Sequence, residues 1–196
     1  MKYFLTIFIC GLACGTGWAQ SEKSLGYDKI SKFEDQRARV QLNGLWGIID
    51  WNGDEIITPQ YQRIMPYKQQ RARVLKDKRW GMVSWEGKEI IPTIYDTMGN
   101  FKDQKAKVSR DGKWGLVHWD GHEIVPVKYE VINEFSQGRA LVKADGQWGI
   151  IDTEGREIVS PKYDKIKAFE NDRAKVQLNG RWGIINTEGQ EIVRVQ

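Results

Sequence analysis

Cysteine is missing from almost the whole chain. The only two, Cys10 and Cys14, lie in the N-terminal segment. The rest has no disulfide and no thiol chemistry, so its stability has to come from packing. Histidine is nearly as scarce, with two in 196 residues, His118 and His122. Serines are scattered, and no nucleophile, base and orienting residue stand together. No glycine-rich phosphate loop and no zinc-ligand spacing occur. No catalytic constellation and no cofactor are implied. Beyond the N-terminus no apolar run approaches the ~20 residues of a membrane-spanning helix. No stretch holds the i, i+3, i+4, i+7 apolar pattern of an amphipathic helix. A large excess of one charge is also absent: 30 basic against 26 acidic residues leave +4, with a pI near 9.0. Mixed charges of this kind argue against a nucleic-acid partner.

The first residues differ from the rest. Lys2 precedes an apolar run from Tyr3 to Ala13, followed by small residues. This reads as a secretory signal over residues 1–19, with Gly17 and Ala19 placing small side chains before a cleavage ahead of Gln20. As an alternative, Leu12-Ala13-Cys14 resembles a degenerate bacterial lipobox, with residues 1–13 removed and lipid on Cys14. Gly11 stands where that motif usually has leucine. The expectation is an exported protein, periplasmic or extracellular, or else one lipid-anchored at the outer membrane.

Aromatic residues are plentiful, at 11%, and nine are tryptophan. Trp-Gly occurs at Trp46, Trp80, Trp114, Trp148 and Trp182, 34 residues apart each time. Tyr27, Tyr61, Tyr95, Tyr129 and Tyr163 keep the same interval, as do sets headed by Ala38, Val40, Gly53 and Glu55. The units are therefore 27–60, 61–94, 95–128, 129–162 and 163–196, behind a leader at 20–26.

A period of 34 is also that of helical tetratricopeptide repeats, but the local pattern is that of strands. In the last unit Arg173 to Leu178 alternates in polarity, which is strand period. Asn179-Gly180 is the preferred pair for a two-residue type I′ hairpin turn, and Trp182 to Asn186 is the return strand. Thr187-Glu188-Gly189 marks a second tight turn, its glycine expected in the left-handed region, and Glu191 opens a third strand. Each unit reads as an antiparallel meander of about three strands, with the stretch from tyrosine to phenylalanine a connector or a short fourth. The second unit has Asp77-Lys78 at its first turn. A lysine at positive φ costs about 1 kcal/mol relative to glycine, so a bulged or longer turn is expected there.

These residues resemble the WG-repeat family, also called KWG repeats. The fourth unit carries the pattern most fully, from Phe135, Gly138, Ala140 and Val142 through Trp148-Gly149 to Pro161 and Tyr163. The resemblance implies binding or scaffold repeats in bacterial proteins, often exported, without a shared activity. The fold class is all-β, five stacked antiparallel meanders. An open β-superhelix is favoured over a five-bladed propeller-like ring, because 34 residues are few for four strands per blade and no strand is evidently shared between the termini.

A residue present five times at one period is structural. Each Trp of the Trp-Gly pairs is expected to be buried, which is worth at most about 4 to 6 kcal/mol, with its glycine admitting a close neighbour. Arg37, Arg71 and Lys105 share one column and Arg39, Arg73 and Lys107 another. They are expected on one solvated sheet face with the repeated glutamate as partner, or as a cationic stripe for an anionic polymer. Function should sit where copies differ. Trp51, Trp85 and Trp119 occupy the second turn in three units, where Thr153 and Thr187 stand in the others. They either cover the adjacent hairpin or form an exposed row able to stack on sugar rings. His118 and His122 flank Trp119 and, with Asp120, offer three ligands on one turn. With no partner from another unit, they are not read as a metal centre. The expected function is a non-enzymatic scaffold binding a protein or glycan of the bacterial cell envelope, with a glycan-active enzyme or a structural spacer as alternatives.

Overall fold

The computed structural model describes residues 26–195. The proposed signal at 1–19, the Cys14 alternative and the leader up to residue 25 lie outside the described residues. Every regular element among the described residues is a β-strand, and no helix there is long and apolar enough to cross a membrane.

Each unit forms one four-stranded antiparallel sheet with strands in chain order. Sheet one has β1 (Lys29–Ile30), β2 (Arg37–Leu42), β3 (Leu45–Asp50) and β4 (Glu55–Tyr61). Sheet two has β5 (Arg63–Ile64), β6 (Arg71–Lys76), β7 (Arg79–Ser84) and β8 (Glu89–Tyr95). Sheet three has β9 (Thr97–Met98), β10 (Lys105–Arg110), β11 (Lys113–His118) and β12 (Glu123–Tyr129). Sheet four has β13 (Val131–Ile132), β14 (Arg139–Ala144), β15 (Gln147–Asp152) and β16 (Glu157–Tyr163). Sheet five has β17 (Lys165–Ile166), β18 (Arg173–Leu178), β19 (Arg181–Asn186) and β20 (Glu191–Val193). The stretch after each tyrosine is thus a real strand, reduced to two residues, which is how 34 residues accommodate four strands. The chain forms two compact units, divided between Ile94 and Tyr95.

In each unit the core lies between successive sheets. In the first, Ile48, Ile57 and Tyr61 of sheet one meet Ile64, Ala72, Val74 and Val83 of sheet two. In the second, Leu116, Val125 and Tyr129 of sheet three meet Ile132, Ala140, Val142 and Ile151 of sheet four. Ile150, Val159 and Tyr163 of sheet four then meet Ala174, Val176 and Ile185 of sheet five. Adjacent residues in a strand point to opposite faces, so Ile150 and Ile151 serve the two interfaces of one sheet. Each buried Ile or Val side chain contributes about 1.5 to 3 kcal/mol relative to exposure.

Tyrosine and glutamate staple one sheet to the next. Tyr129 closes β12 and donates to Glu157 at the start of β16 at 2.7 Å. Tyr163 does the same to Glu191 at 2.8 Å, and Tyr27 to Glu55 at 2.6 Å. The tyrosines are at most 5% exposed, so the hydroxyl at the tip of each ring needs a partner.

The tryptophans of the Trp-Gly pairs are not the buried set the repeat suggested. Trp46, Trp80, Trp114 and Trp148 are half-buried and Trp182 is 46% exposed. Apolar burial is carried instead by Tyr, Ile and Val. The glycine does admit a close neighbour. Between the pairs Trp148↔Tyr163 and Ile150↔Val159 the register slips, so β16 bulges across Gly149. A Cβ on Gly149 would lie 2.5 Å from the Val159 carbonyl oxygen and 2.8 Å from the Pro161 nitrogen.

The unusual turn in the second unit is not bulged. Asp77 (φ 50°) and Lys78 (φ 64°) form the same two-residue turn as Asn179-Gly180, and Lys76 pairs directly with Arg79. Gln62 accepts the Lys78 amide hydrogen at 2.9 Å, as Asp28 and Asp96 do for Asn43 and Asp111 in other units. That outside anchor holds the lysine in place. A further tight turn precedes each second strand and was not evident from sequence. Asp103 and Gln104 both have positive φ, inside the Lys102↔Lys105 bridge.

Three outcomes are expected. Lys78→Gly stabilises by about 1 kcal/mol in chemical unfolding, since only the strained φ changes. Gly149→Ala destabilises by about 1 to 3 kcal/mol, because the atoms it meets are backbone; a neutral result would remove the close-approach role. The third concerns pH. A hydrogen bond from Lys128, then one from Tyr129, holds the Glu157 carboxyl down to about 2 from its ordinary 4.5. Burial, then the bond to Glu157, pushes Tyr129 above its ordinary 10.0. The glutamate contribution is present above pH 4.5 and lost as pH falls toward 2; the tyrosine contribution is present below pH 10.0 and lost as pH rises past it. The unfolding midpoint should be flat between about pH 5 and 9 and fall on both sides, with the acid fall shallower in Glu157→Gln.

Candidate functional site

The basic columns lie on the face opposite Ala38 and Val40, as alternation requires, and that face is half-buried in the first four sheets and exposed in the fifth at Arg173 and Lys175. Arg37 lies flat on the Trp85 ring of sheet two, 3.9 Å from its centroid. Arg39 donates to the Ile64 carbonyl at 3.4 Å. In the second unit, Lys105 donates to the Thr153 carbonyl and Lys107 to the Ile132 carbonyl, and Arg139 donates to the Thr187 carbonyl at 3.2 Å. The cations tie one sheet to turns and short strands of the next. The repeated glutamate is not their partner, since it accepts from tyrosine and, at Glu157 and Glu191, pairs with Lys128 and Lys162. Arg71 and Arg73 are half-buried, with Arg73 5.9 Å from the centroid of Trp80.

The three turn tryptophans do not make an exposed row. Trp51 is 52% exposed, with Phe33 edge-on at 5.1 Å. Trp85 is half-buried between Arg37 and the edge of Tyr67, at 4.9 Å. Trp119 is half-buried beside His118. Trp85, with Arg37 over it, is less open to solvent than Trp51.

The exchange of Trp for Thr has a larger consequence than a lost aromatic. Between sheets one and two, Trp85, Tyr67, Arg37 and Met65 crowd one part of the junction and leave about 80 Å³ there, with a separate space of about 590 Å³ beside Trp51 and Glu55. The same junction between sheets three and four has Thr153, Phe135, Lys105 and Asn133 in those places, and Gly99 where Ser31 stands. It encloses about 660 Å³, within the range of small-molecule sites. Between sheets four and five, which also have a threonine turn, about 230 Å³ remains.

The groove between sheets three and four has an apolar floor. Met98, Leu116 and Ile132 are each at most 6% exposed, and Trp114 and Phe135 supply aromatic surface. Lys102, Lys105 and Lys107 supply positive charge, against Asp103 and Glu134. Lys107 also lies over Trp114 at 4.5 Å. Of the residues named from sequence, only Lys105 and Lys107 come together here. Gly99, Trp114, Phe135 and Thr153 were missed. The difference between copies at Thr153 was visible, but its effect is empty space, and space has no residue to mark it.

The histidine turn is well defined. His118 Nδ1 and His122 Nδ1 lie 2.9 Å and 2.6 Å from Asp120 Oδ1, and the two rings stack at 4.7 Å. The His118 bond, followed by the His122 amide, lowers the Asp120 carboxyl to about 2. Gln104 Oε1 lies 3.0 Å from His118 Nε2.

The solved structures that match this chain do so at low similarity. Hsv2 of Kluyveromyces lactis is 12% identical, with a TM-score of 0.34 over 80% of this chain and 58% of that one. PorZ, a bacterial surface component of the type-IX secretion system of Porphyromonas gingivalis, is 9% identical, with a TM-score of 0.34 over 86% of this chain and 26% of that one. The extracellular domain of the putative hybrid two-component system BT3049 from B. thetaiotaomicron is 11% identical, with a TM-score of 0.32 over 92% and 30%. The chain spans less than two thirds of the length of each. No curated protein matches it in sequence. The model of the WG containing repeat matches five times, over residues 24–46, 46–80, 80–114, 114–148 and 148–182. These matches run from residue 24 to 182 and share the 34-residue phase of the sheets, so the chain belongs to the WG-repeat family.

Proposed function

We propose that this protein is an exported, non-enzymatic binding module of the bacterial cell envelope, and that its ligand lies in the groove between sheets three and four. Export is supported by the charged, apolar and small-residue pattern of residues 1–19. The observation that carries the site is the contrast between equivalent parts of two junctions, about 80 Å³ where Trp85 fills the space and about 660 Å³ where Thr153 does not.

The groove suits an acidic glycan. Trp114 and Phe135 offer surfaces on which sugar rings stack. Each ammonium has three donors, so Lys105 and Lys107 keep donors for a carboxylate beyond the one each gives to a main-chain carbonyl. The apolar floor of Met98, Leu116 and Ile132 favours a protein segment as the second partner class.

Thr153→Trp tests the site by filling it with the residue already present at Trp85. In calorimetric titration with uronate-containing oligosaccharides, the unaltered protein should bind saturably and more weakly as salt rises. Thr153→Trp should lose binding with no fall in melting temperature, and Lys105→Gln/Lys107→Gln should weaken it about ten-fold. Undiminished binding by a folded Thr153→Trp protein would place the ligand elsewhere. Binding of apolar peptides but not uronates would assign the groove to a protein partner.

A further inference from the structure

The second turn of each unit is normally capped by its first residue. Asp50 Oδ1 accepts the amide hydrogens of Asn52 and Asp54 at 2.9 and 2.8 Å. Asp152 Oδ1 takes those of Glu154 and Arg156 at 3.0 and 2.9 Å, and Asn186 Oδ1 those of Glu188 and Gln190 at 3.1 and 2.8 Å. This is an Asx turn, in which a short side-chain oxygen satisfies two donors of the loop. The third unit breaks it. His118 takes the capping position, its Nδ1 accepts the Asp120 amide hydrogen only at 3.4 Å, and the His122 amide hydrogen goes to Asp120 itself. The turn gives up a good cap, and Asp120 and His122 stay exposed while the His118 ring stacks on that of His122.

The same exchange brings three metal-binding atoms together. His118 Nδ1, His122 Nδ1 and an Asp120 oxygen lie within 4.8 Å of one another. Gln104 Oε1, reaching from the tight turn before β10, lies 3.0 Å from His118 Nε2, and a hydrogen bond there holds the ring with Nδ1 toward Asp120, 2.9 Å away. We propose that His118, Asp120 and His122 form a surface site for a divalent first-row transition ion, with Gln104 as the residue that orients His118.

Two imidazoles and one carboxylate select zinc, nickel or copper over magnesium and calcium, which prefer all-oxygen sets. Three ligands from one turn leave coordination positions open to water or to a ligand. No other unit has this set: the equivalent residues are Asp50, Asn52 and Asp54 in the first, and Asn186, Glu188 and Gln190 in the fifth.

The test uses the untagged full chain and a double variant, His118→Asn/His122→Gln, which gives the third unit the cap of the fifth. Zinc titration followed by calorimetry should show a saturable one-to-one site in the unaltered protein. Both histidine ring signals in its proton–nitrogen spectrum should shift, and since the chain has only two histidines they are unambiguous. The double variant should lose the site while melting no lower in the absence of metal, because its Asx cap is restored. Cys10 and Cys14 are common to both proteins, so any metal they hold cancels. Gln104→Ala should weaken zinc binding by about ten-fold while leaving the stoichiometry unchanged. Equal zinc binding by the double variant, an absence of ring shifts, or calcium binding as tight as zinc would each overturn the proposal.

Discussion

A sheet of this protein is apolar on both faces, as sheets one and four show. On sheet four, Ile150 points toward sheet five and Ile151 toward sheet three, one residue apart on the same strand. A 34-residue meander with two such faces has too little mass to bury either, so it is stable only between neighbours. The polar features follow from this. A tyrosine packed between sheets brings its hydroxyl into the interface, and the glutamate of the following sheet is placed to accept it. A cation on the second strand of one sheet lies over a turn of the next, so it finds a carbonyl or an aromatic face there instead of water. Interfaces of this kind repeat because the sheets repeat.

Repetition of the interface also explains why small substitutions have large effects at one place. The second turn of a unit contacts the second strand of the unit before it. Trp85 under Arg37 makes that contact a filled aromatic and cation stack. Thr153 under Lys105 reduces it to one hydrogen bond to a main-chain oxygen. Burial of the sheets continues beneath, through Ile132, Ala140 and Val142, so the junction holds while its outer part opens. A groove of this type costs little stability, because the space is created at the rim of the interface and not in the Ile–Val–Tyr layer.

The fold was largely legible in the sequence because its signals are local and are repeated five times. Alternation at Arg173 to Leu178, Asn179-Gly180 and the glycine of the second turn each specify a backbone state directly. What was not legible depends on neighbours. Lys78 reads as unfavourable for a two-residue turn, and the turn forms because Gln62, 16 residues upstream, accepts its amide hydrogen. The Trp of the Trp-Gly pair reads as core because it is large and constant. It is half-buried because the bulge over its glycine leaves the ring beside the interface. Gln69-Gln70 and Asp103-Gln104 have little turn character of their own, yet both adopt positive φ, held by the bridge that closes around them. For the site, Lys105 and Lys107 were found as part of a column, whereas Gly99 and Thr153 act by what they lack.

Departures from the repeat are therefore of two physical kinds. Gly99 and Thr153 subtract: they remove side-chain volume and leave the backbone hydrogen bonds of the sheet as they were. His118 exchanges: it removes a capping oxygen that the turns at Asp50, Asp152 and Asn186 keep, and supplies a ring nitrogen that caps poorly. A subtraction is compatible with drift on a surface that tolerates lost contacts. An exchange that weakens the cap of the turn and is matched by a second histidine and an orienting glutamine is not accounted for by the hydrogen bonding of the turn itself. A local rule broken without a structural return is the signature of a site serving something outside the chain. On that criterion the histidine turn stands apart from the other four turns of its column, although all five share one backbone.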